Sequence, residues 1–447
     1  MSARAGWLDR WEPEDAVFWR ERGAAIAWRT LAVTTAGLVL SFATWFVVSA
    51  LVVRLPGAGF PFTTMQLFWL AAMPGLAGGT FRLVHTFLVP ILGTRNVITF
   101  TTFLKLVPCL GLAWAVATPG TTFGVFLFLA FLAGFGGGDF SSYMPSTSLF
   151  FPKRLQGTAL GIQAGLGNFG VSLAQLLPPW IVGFSVFGPV GGAPQAFRKG
   201  AATGSIWLQN GTLVYVPFLL LVGVLAWAFL RSVPVKASFS EQLDLFRDKH
   251  TWFCTVTYVM TFGSFSGLSA AFPLLMKTLY GGFADAPDPL RYAFLGPLVG
   301  SAARVLSGFV ADRVGGAVLT QLAGLGMMGT AAALVLGGFL APASLASFPG
   351  FVGLFLLLFL LTGIGNASTF RQFPIVFSHS PRQGAQVLGF TAAVAAYGPF
   401  LFSALIGASV SATGSPVAFF AGLIAYCAVA VAINWWFYAR KGCERPS

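Results

Sequence analysis

The chain has 447 residues, of which 56% are apolar and only 9% charged; a soluble domain carries about 25% charged residues, so a soluble globular enzyme is excluded. The net charge of +13 is scattered over short segments, with no basic aromatic stripe, which argues against a nucleic-acid partner. Four isolated cysteines without a CxxC spacing support neither a metal cage nor a disulfide framework, and no cofactor is expected.

The first 29 residues interleave Glu12, Glu14, Asp15 and Glu21 with Trp7, Trp11, Phe18 and Trp19. This is no secretory signal, and the pattern predicts a cytoplasmic segment lying at the membrane interface. Twelve apolar runs long enough to span a bilayer follow, at 30–53, 64–92, 96–117, 122–149, 157–184, 211–230, 251–279, 291–311, 317–340, 350–377, 385–411 and 415–438. The polar stretch 231–250 divides them six and six, into bundles at 30–230 and 251–438, and 439–447 forms a tail. With both termini inside, Arg95, Lys153, Arg154, Arg231, Arg313 and Arg440 fall on the cytoplasmic side, whereas the outer segments hold only Arg54, Arg198, Lys199, Lys277 and Arg291. That bias sets the orientation. The fold class is an all-α membrane protein of two pseudo-symmetric six-helix bundles.

The halves are related. Gly161–Gly170 in span 5 is similar to Gly389–Gly398 in span 11, and Gln156-Gly157 before the first matches Gln383-Gly384 before the second. Arg82 in span 2 lies eleven residues before Gly93, and Arg304 in span 8 lies eleven before Gly315. Parallel repeats rock against each other around a site near the midplane. An intramembrane arginine costs at least ~3 kcal/mol, so its default reading is functional. Neither span carries a carboxylate beside its arginine, which makes an anionic substrate the expected partner. Asn168 in span 5 and Asn366 in span 10 offer neutral donors, against the structural alternative of tying two helices together. Arg371 and Lys105 read as side chains that snorkel to an interface. His85 reads as a packed neutral histidine.

Gly308-Phe-Val-Ala-Asp-Arg-Val-Gly-Gly316 after span 8 resembles the GxxxDRxGG signature of the major facilitator superfamily, in which an Asp312–Arg313 pair would latch neighbouring helices. The first-half counterpart, Leu92-Gly93-Thr94-Arg95, lacks the aspartate. The Gly-rich, Asn-bearing stretches Gly161–Gln175 and Gly363–Phe370 resemble the two signatures of the nitrate/nitrite porter (NarK-type) family. Trp11-Glu-Pro-Glu-Asp15, Phe150-Phe-Pro-Lys153 and Thr261-Phe-Gly-Ser-Phe265 extend that resemblance along nearly the whole chain.

The resemblance implies a carrier of nitrate and nitrite working by alternating access in a bacterial inner membrane, as a monomer in the lipid bilayer and not an enzyme. Nitrate is flat and singly charged, and the planar guanidinium of Arg82 or Arg304 donates two parallel bonds to such an oxyanion. By the same resemblance Tyr258, Phe262, Phe140 and Phe42 line the anion cavity. Asp139, in Gly136-Gly-Gly-Asp-Phe140, stands where the family pattern often has asparagine, and three readings remain open for it. The site without a titratable group would exchange nitrate for nitrite. An Asp139 close to an arginine would let a proton travel with nitrate. An Asp139 bonded to backbone or Ser141 would be structural. A carrier for another small anion, such as a carboxylate, and a non-transporting membrane sensor are the alternative functions.

Overall fold

In lipid a chain must pair its backbone polar groups within each segment, so long apolar runs become helices. The computed structural model describes residues 6–199, 202–233 and 244–447. Eleven helices in it are long and apolar enough to cross a membrane. They are α1 (Ala16–Arg54), α2 (the helix runs Thr64–Leu92), α3 (Thr94–Ala117), α4 (Phe123–Phe150), α6 (Asn210–Phe229), α7 (Lys249–Tyr280), α8 (Leu290–Val314), α9 (Gly316–Leu336), α10 (Leu345–Val376), α11 (Gln386–Thr413) and α12 (Val417–Ala439). The twelfth expected span is α5, Lys153–Ile181, a 29-residue helix. Its five glycines in 157–170, with Gln163, Asn168, Ser172 and Gln175, dilute its hydropathy without interrupting the helix. Of the linker at 231–250, residues 234–243 lie outside the described residues, and Asp244–Arg247 forms one 3-10 turn. An antiparallel hairpin, β1 (Gln195–Lys199) and β2 (Ala202–Ile206), stands in the loop between α5 and α6.

The chain divides into two compact units, Met1–Phe60 with Ala77–Ser238, and Pro61–Leu76 with Phe239–Ser447. The boundary runs through α2. Phe68 of its first part meets Gly407 of α11, and Trp69 stacks on Phe400 at 6.0 Å.

Each unit is built on the same close approaches of backbone. In the first, a Cβ on Gly170 of α5 would collide with the Val39 carbonyl of α1, and one on Gly137 of α4 would strike Gly78 of α2. In the second, a Cβ on Gly398 of α11 would collide with the Gly263 carbonyl of α7, and one on Gly363 of α10 with the Gly300 carbonyl of α8. Gly78 lies four residues before Arg82 and Gly300 four before Arg304. The repeat read from the sequence is thus a repeat of contacts: small residues bring α4 onto α2 and α10 onto α8 beside the two arginines.

The N-terminal segment is folded onto the α4–α5 junction. Trp11 Nε1 donates to the Leu149 carbonyl at 2.9 Å, and Glu14 Oε1 accepts from the Lys153 amide at 2.8 Å. That carboxylate complements the free amides and positive dipole end of α5. Trp19 packs with Ala27, Leu31, Phe150, Phe151 and Ala159 beneath it.

The other end is tied down by charge. Glu444 binds Lys249 Nζ at 2.7 Å and His250 Nε2 at 3.1 Å, Arg445 reaches Asp248 at 2.9 Å, and the Ser447 carbonyl accepts from the Ala317 amide at 2.9 Å. The hydrogen bond from Lys249, then that from His250, lowers the Glu444 carboxyl from its ordinary 4.5 to about 2. A carboxylate lowered on folding stabilises the fold above its ordinary value and loses that contribution as pH falls toward the folded value. Glu444→Gln is therefore expected to lower the melting temperature at pH 7, with the gap to the parent narrowing below about pH 4.5. Thermal unfolding in detergent across that range checks it; a gap that does not narrow in acid would contradict the clasp.

Candidate anion site

In the first unit, Arg82 is fully buried. Helix α4 is interrupted at Gly134 and again at Asp139, and at the second break the Gly137 carbonyl accepts from Arg82 Nε at 2.8 Å. The guanidinium carbon lies 4.7 Å from the Phe140 ring centre and 5.4 Å from that of Trp45. Phe42 completes the cluster, 6.3 Å from Phe140 and 5.5 Å from Trp45. A charge-assisted bond of about 1.5–3 kcal/mol and cation–π contacts of about 0.5–2 kcal/mol each are enough to offset the cost of holding the arginine in the span.

In the second unit, Arg304 is 7% exposed, and its guanidinium carbon sits 4.8 Å from the Phe370 ring centre. The Tyr258 hydroxyl faces it. Tyr258 stacks on Phe262 at 5.6 Å with the rings 10° apart, and also meets Phe370 at 5.4 Å. Tyr258 and Phe262 flank and occupy the π-turn Val259–Gly263 of α7, a local widening of the helix that recurs at functional sites. Arg304 Nη1 has no hydrogen-bond partner among the described residues, and no described carboxylate pairs with this arginine.

The two asparagines are equally telling. Asn168 and Asn366 are buried, and neither end of either amide has a hydrogen-bond partner among the described residues. Buried amides are nearly always satisfied. The helix-tie alternative therefore lacks the bonds it requires, and a ligand with acceptor oxygens would engage both donors.

Sequence reasoning missed Trp45 and Phe370, although both were legible by helical spacing. Trp45 falls three residues after Phe42, and Phe370 four after Asn366, on the same helix faces.

It also misplaced Lys105. That lysine does not snorkel: it is fully buried and forms an ion pair with Asp139, while donating to the Thr101 carbonyl at 3.0 Å. Asp139 therefore engages neither Ser141 nor an arginine. Its Oδ2 takes Lys105 and, at 2.5 Å, the Ser41 hydroxyl, and its Oδ1 lies 3.7 Å from His85 Nδ1. His85 is packed, with Nδ1 3.1 Å from the Ser142 hydroxyl. At the other end of α8 the latch also differs. Asp312 pairs with Arg371 of α10 at 2.7 Å and not with its neighbour Arg313. Adjacent helix residues point apart, whereas Arg371 reaches across from the neighbouring helix. Both partners are exposed, so this pair contributes no more than ~1 kcal/mol.

The model of the Major Facilitator Superfamily matches residues 33–347. The chain is 58% identical to the probable nitrate/nitrite antiporter NarK2 of Thermus thermophilus, over 100% of this chain and 99% of the relative. It is 36% identical to the nitrate/nitrite transporter NarU of Escherichia coli, covering 97% and 96% of the two chains. The chain belongs to the nitrate/nitrite porter family of the major facilitator superfamily. Among solved structures, a bacterial homologue of the human lysosomal transporter Spinster, inward-facing and occupied, superposes with a TM-score of 0.64 at 14% identity. That match covers 91% of this chain and 95% of the other, a likeness of fold alone. This porter is a multi-pass membrane protein of a family of transporters, not enzymes.

Proposed function

We propose that the chain moves nitrate and nitrite by alternating access. Arg82 with Asn168 in one unit, and Arg304 with Asn366 in the other, supply the polar contacts to the anion. Phe42, Phe140, Tyr258 and Phe262 form the aromatic walls, joined by Trp45 and Phe370. The observation that carries this reading is a buried arginine in each unit, its guanidinium against an aromatic face, in a chain 58% identical over its full length to a protein named a probable nitrate/nitrite antiporter. Relatives bearing nitrate and nitrite in their names support the substrates. The excess of loop cations on one side supports an inner-membrane protein with both termini in the cytoplasm. The organisation remains two six-helix bundles, 30–230 and 251–438, joined by the segment 231–250, in a monomer; the Asp312–Arg371 pair takes the place of the Asp312–Arg313 latch.

Counterflow of labelled nitrate into proteoliposomes loaded with nitrite tests it. Exchange inhibited by nitrite and indifferent to acetate or formate is expected; equal inhibition by carboxylates would assign the site to a different anion. In the same assay Asn168→Leu should raise the nitrate KM about tenfold or more, because a neutral donor to an anion contributes about 1.5–3 kcal/mol. An unchanged KM would return Asn168 to a packing role.

A further inference from the structure

Burying two opposite charges inside a membrane span calls for a reason. Desolvating both ends is costly, and apolar residues of similar volume are often as stable. Lys105 and Asp139 are such a pair, each with a side chain fully removed from solvent. The groups packed round the carboxylate come from four helices. Ser41 of α1 donates to Oδ2, Lys105 of α3 pairs with the same oxygen, and His85 of α2 stands 3.7 Å from Oδ1. Tyr143, one turn on along α4, places its ring 5.9 Å from Lys105 Nζ and its hydroxyl 3.1 Å from Thr102 Oγ1. Arg82, also on α2, acts on His85 but directs its Nε to the Gly137 carbonyl, two residues before Asp139. The carboxylate nearest the anion-binding arginine is therefore engaged by a different cation, reached from a different helix. Lys105 sits in a break of α3, between Thr94–Leu104 and Leu106–Ala117, where Pro108 cannot donate to the Leu104 carbonyl. Its side chain is held from behind by Thr101.

We propose that Lys105 determines the coupling mode of this carrier. By keeping the Asp139 carboxylate paired, it withholds that group as a proton acceptor and confines the protein to anion-for-anion exchange. The inference rests on the nitrate/nitrite reading above. A carboxylate without its lysine in low-dielectric surroundings holds its place by taking a proton from solution, and one proton would then cross with one nitrate. Lys105 is in this sense a positioning residue, acting on transport through Asp139.

The test uses the full chain in proteoliposomes, with two readouts: nitrate–nitrite exchange against pH, and nitrate uptake into nitrite-free vesicles under an inward proton gradient. The parent is expected to exchange with a flat profile between pH 6 and 8 and to show no proton-driven uptake. Asp139→Asn, which strands the lysine, should lose at least about tenfold of exchange, whereas the double variant Asp139→Asn/Lys105→Met should recover to within about threefold of the parent with the profile still flat. Lys105→Met alone should acquire proton-driven uptake, or an exchange rate that rises as pH falls. Proton-driven uptake by the parent that disappears in Asp139→Asn or His85→Gln would overturn the proposal. So would a double variant as defective as Asp139→Asn, or a Lys105→Met carrier with the parent's flat profile. If Lys105→Met does not insert, the double variant decides by the same criterion. Absence of any exchange by the inserted parent would instead reject the nitrate/nitrite reading, which keeps the two failures apart.

Discussion

Arg82→Ala and Arg304→Ala are each expected to abolish nitrate–nitrite exchange, by at least about 100-fold, while the protein still inserts and unfolds cooperatively in detergent. Two charge-assisted bonds to an oxyanion, at about 1.5–3 kcal/mol each, account for that factor at about 1.4 kcal/mol per decade. Stability should hold or rise, because removing the guanidinium also removes a desolvation cost of at least ~3 kcal/mol. The charge-conserving changes to lysine should fail as well: an ammonium lacks the planar fork that meets two oxygens at once and fits less closely against Phe140 or Phe370. Nitrate binding measured by calorimetry separates outcomes. Parent-like affinity in Arg82→Ala would remove the arginine from the site and with it the proposed half-site of the first unit.

Gly363→Val should damage the fold itself. A Cβ there collides with the Gly300 carbonyl oxygen and stands 2.9 Å from the Ala303 Cβ, one residue before Arg304. Two helix backbones cannot yield to that without separating, and overpacking of this kind costs about 1–3 kcal/mol or more. A lower melting temperature and loss of exchange together are expected, because the displaced segment of α8 carries Arg304. Gly353→Val, on the same helix, is the control: a Cβ at Gly353 meets no atom within 4 Å, and that variant should match the parent in both measurements. A stable, active Gly363→Val would show that the close α8–α10 approach is dispensable.

Periodicity and composition sufficed for the helices because lipid leaves a polar backbone few options. The helix least apolar by composition, α5, shows the limit of that rule. Its glycines serve packing against α1, so its place in the bundle depends on contacts more than on hydropathy. The intramembrane arginines stood out for the same reason, since a charge in an apolar run is costly wherever the fold puts it. Lys105 was equally costly and equally visible. Read alone, it offered a snorkelling route that depends only on distance to a helix end; its actual partner lies 34 residues away on the next helix.

By itself the sequence determined the number of spans, the internal repeat, the two arginines and the family, because these rest on local composition, spacing and resemblance. Tertiary structure alone decided the partners. It set Asp139 on Lys105 and Ser41, Arg371 on Asp312, Arg82 on the Gly137 carbonyl, and Asn168 and Asn366 with no described partner. A side chain's type states what bond it needs; which atom supplies that bond depends on helix rotation and on the crossing points set by glycine, and neither is written in any one span.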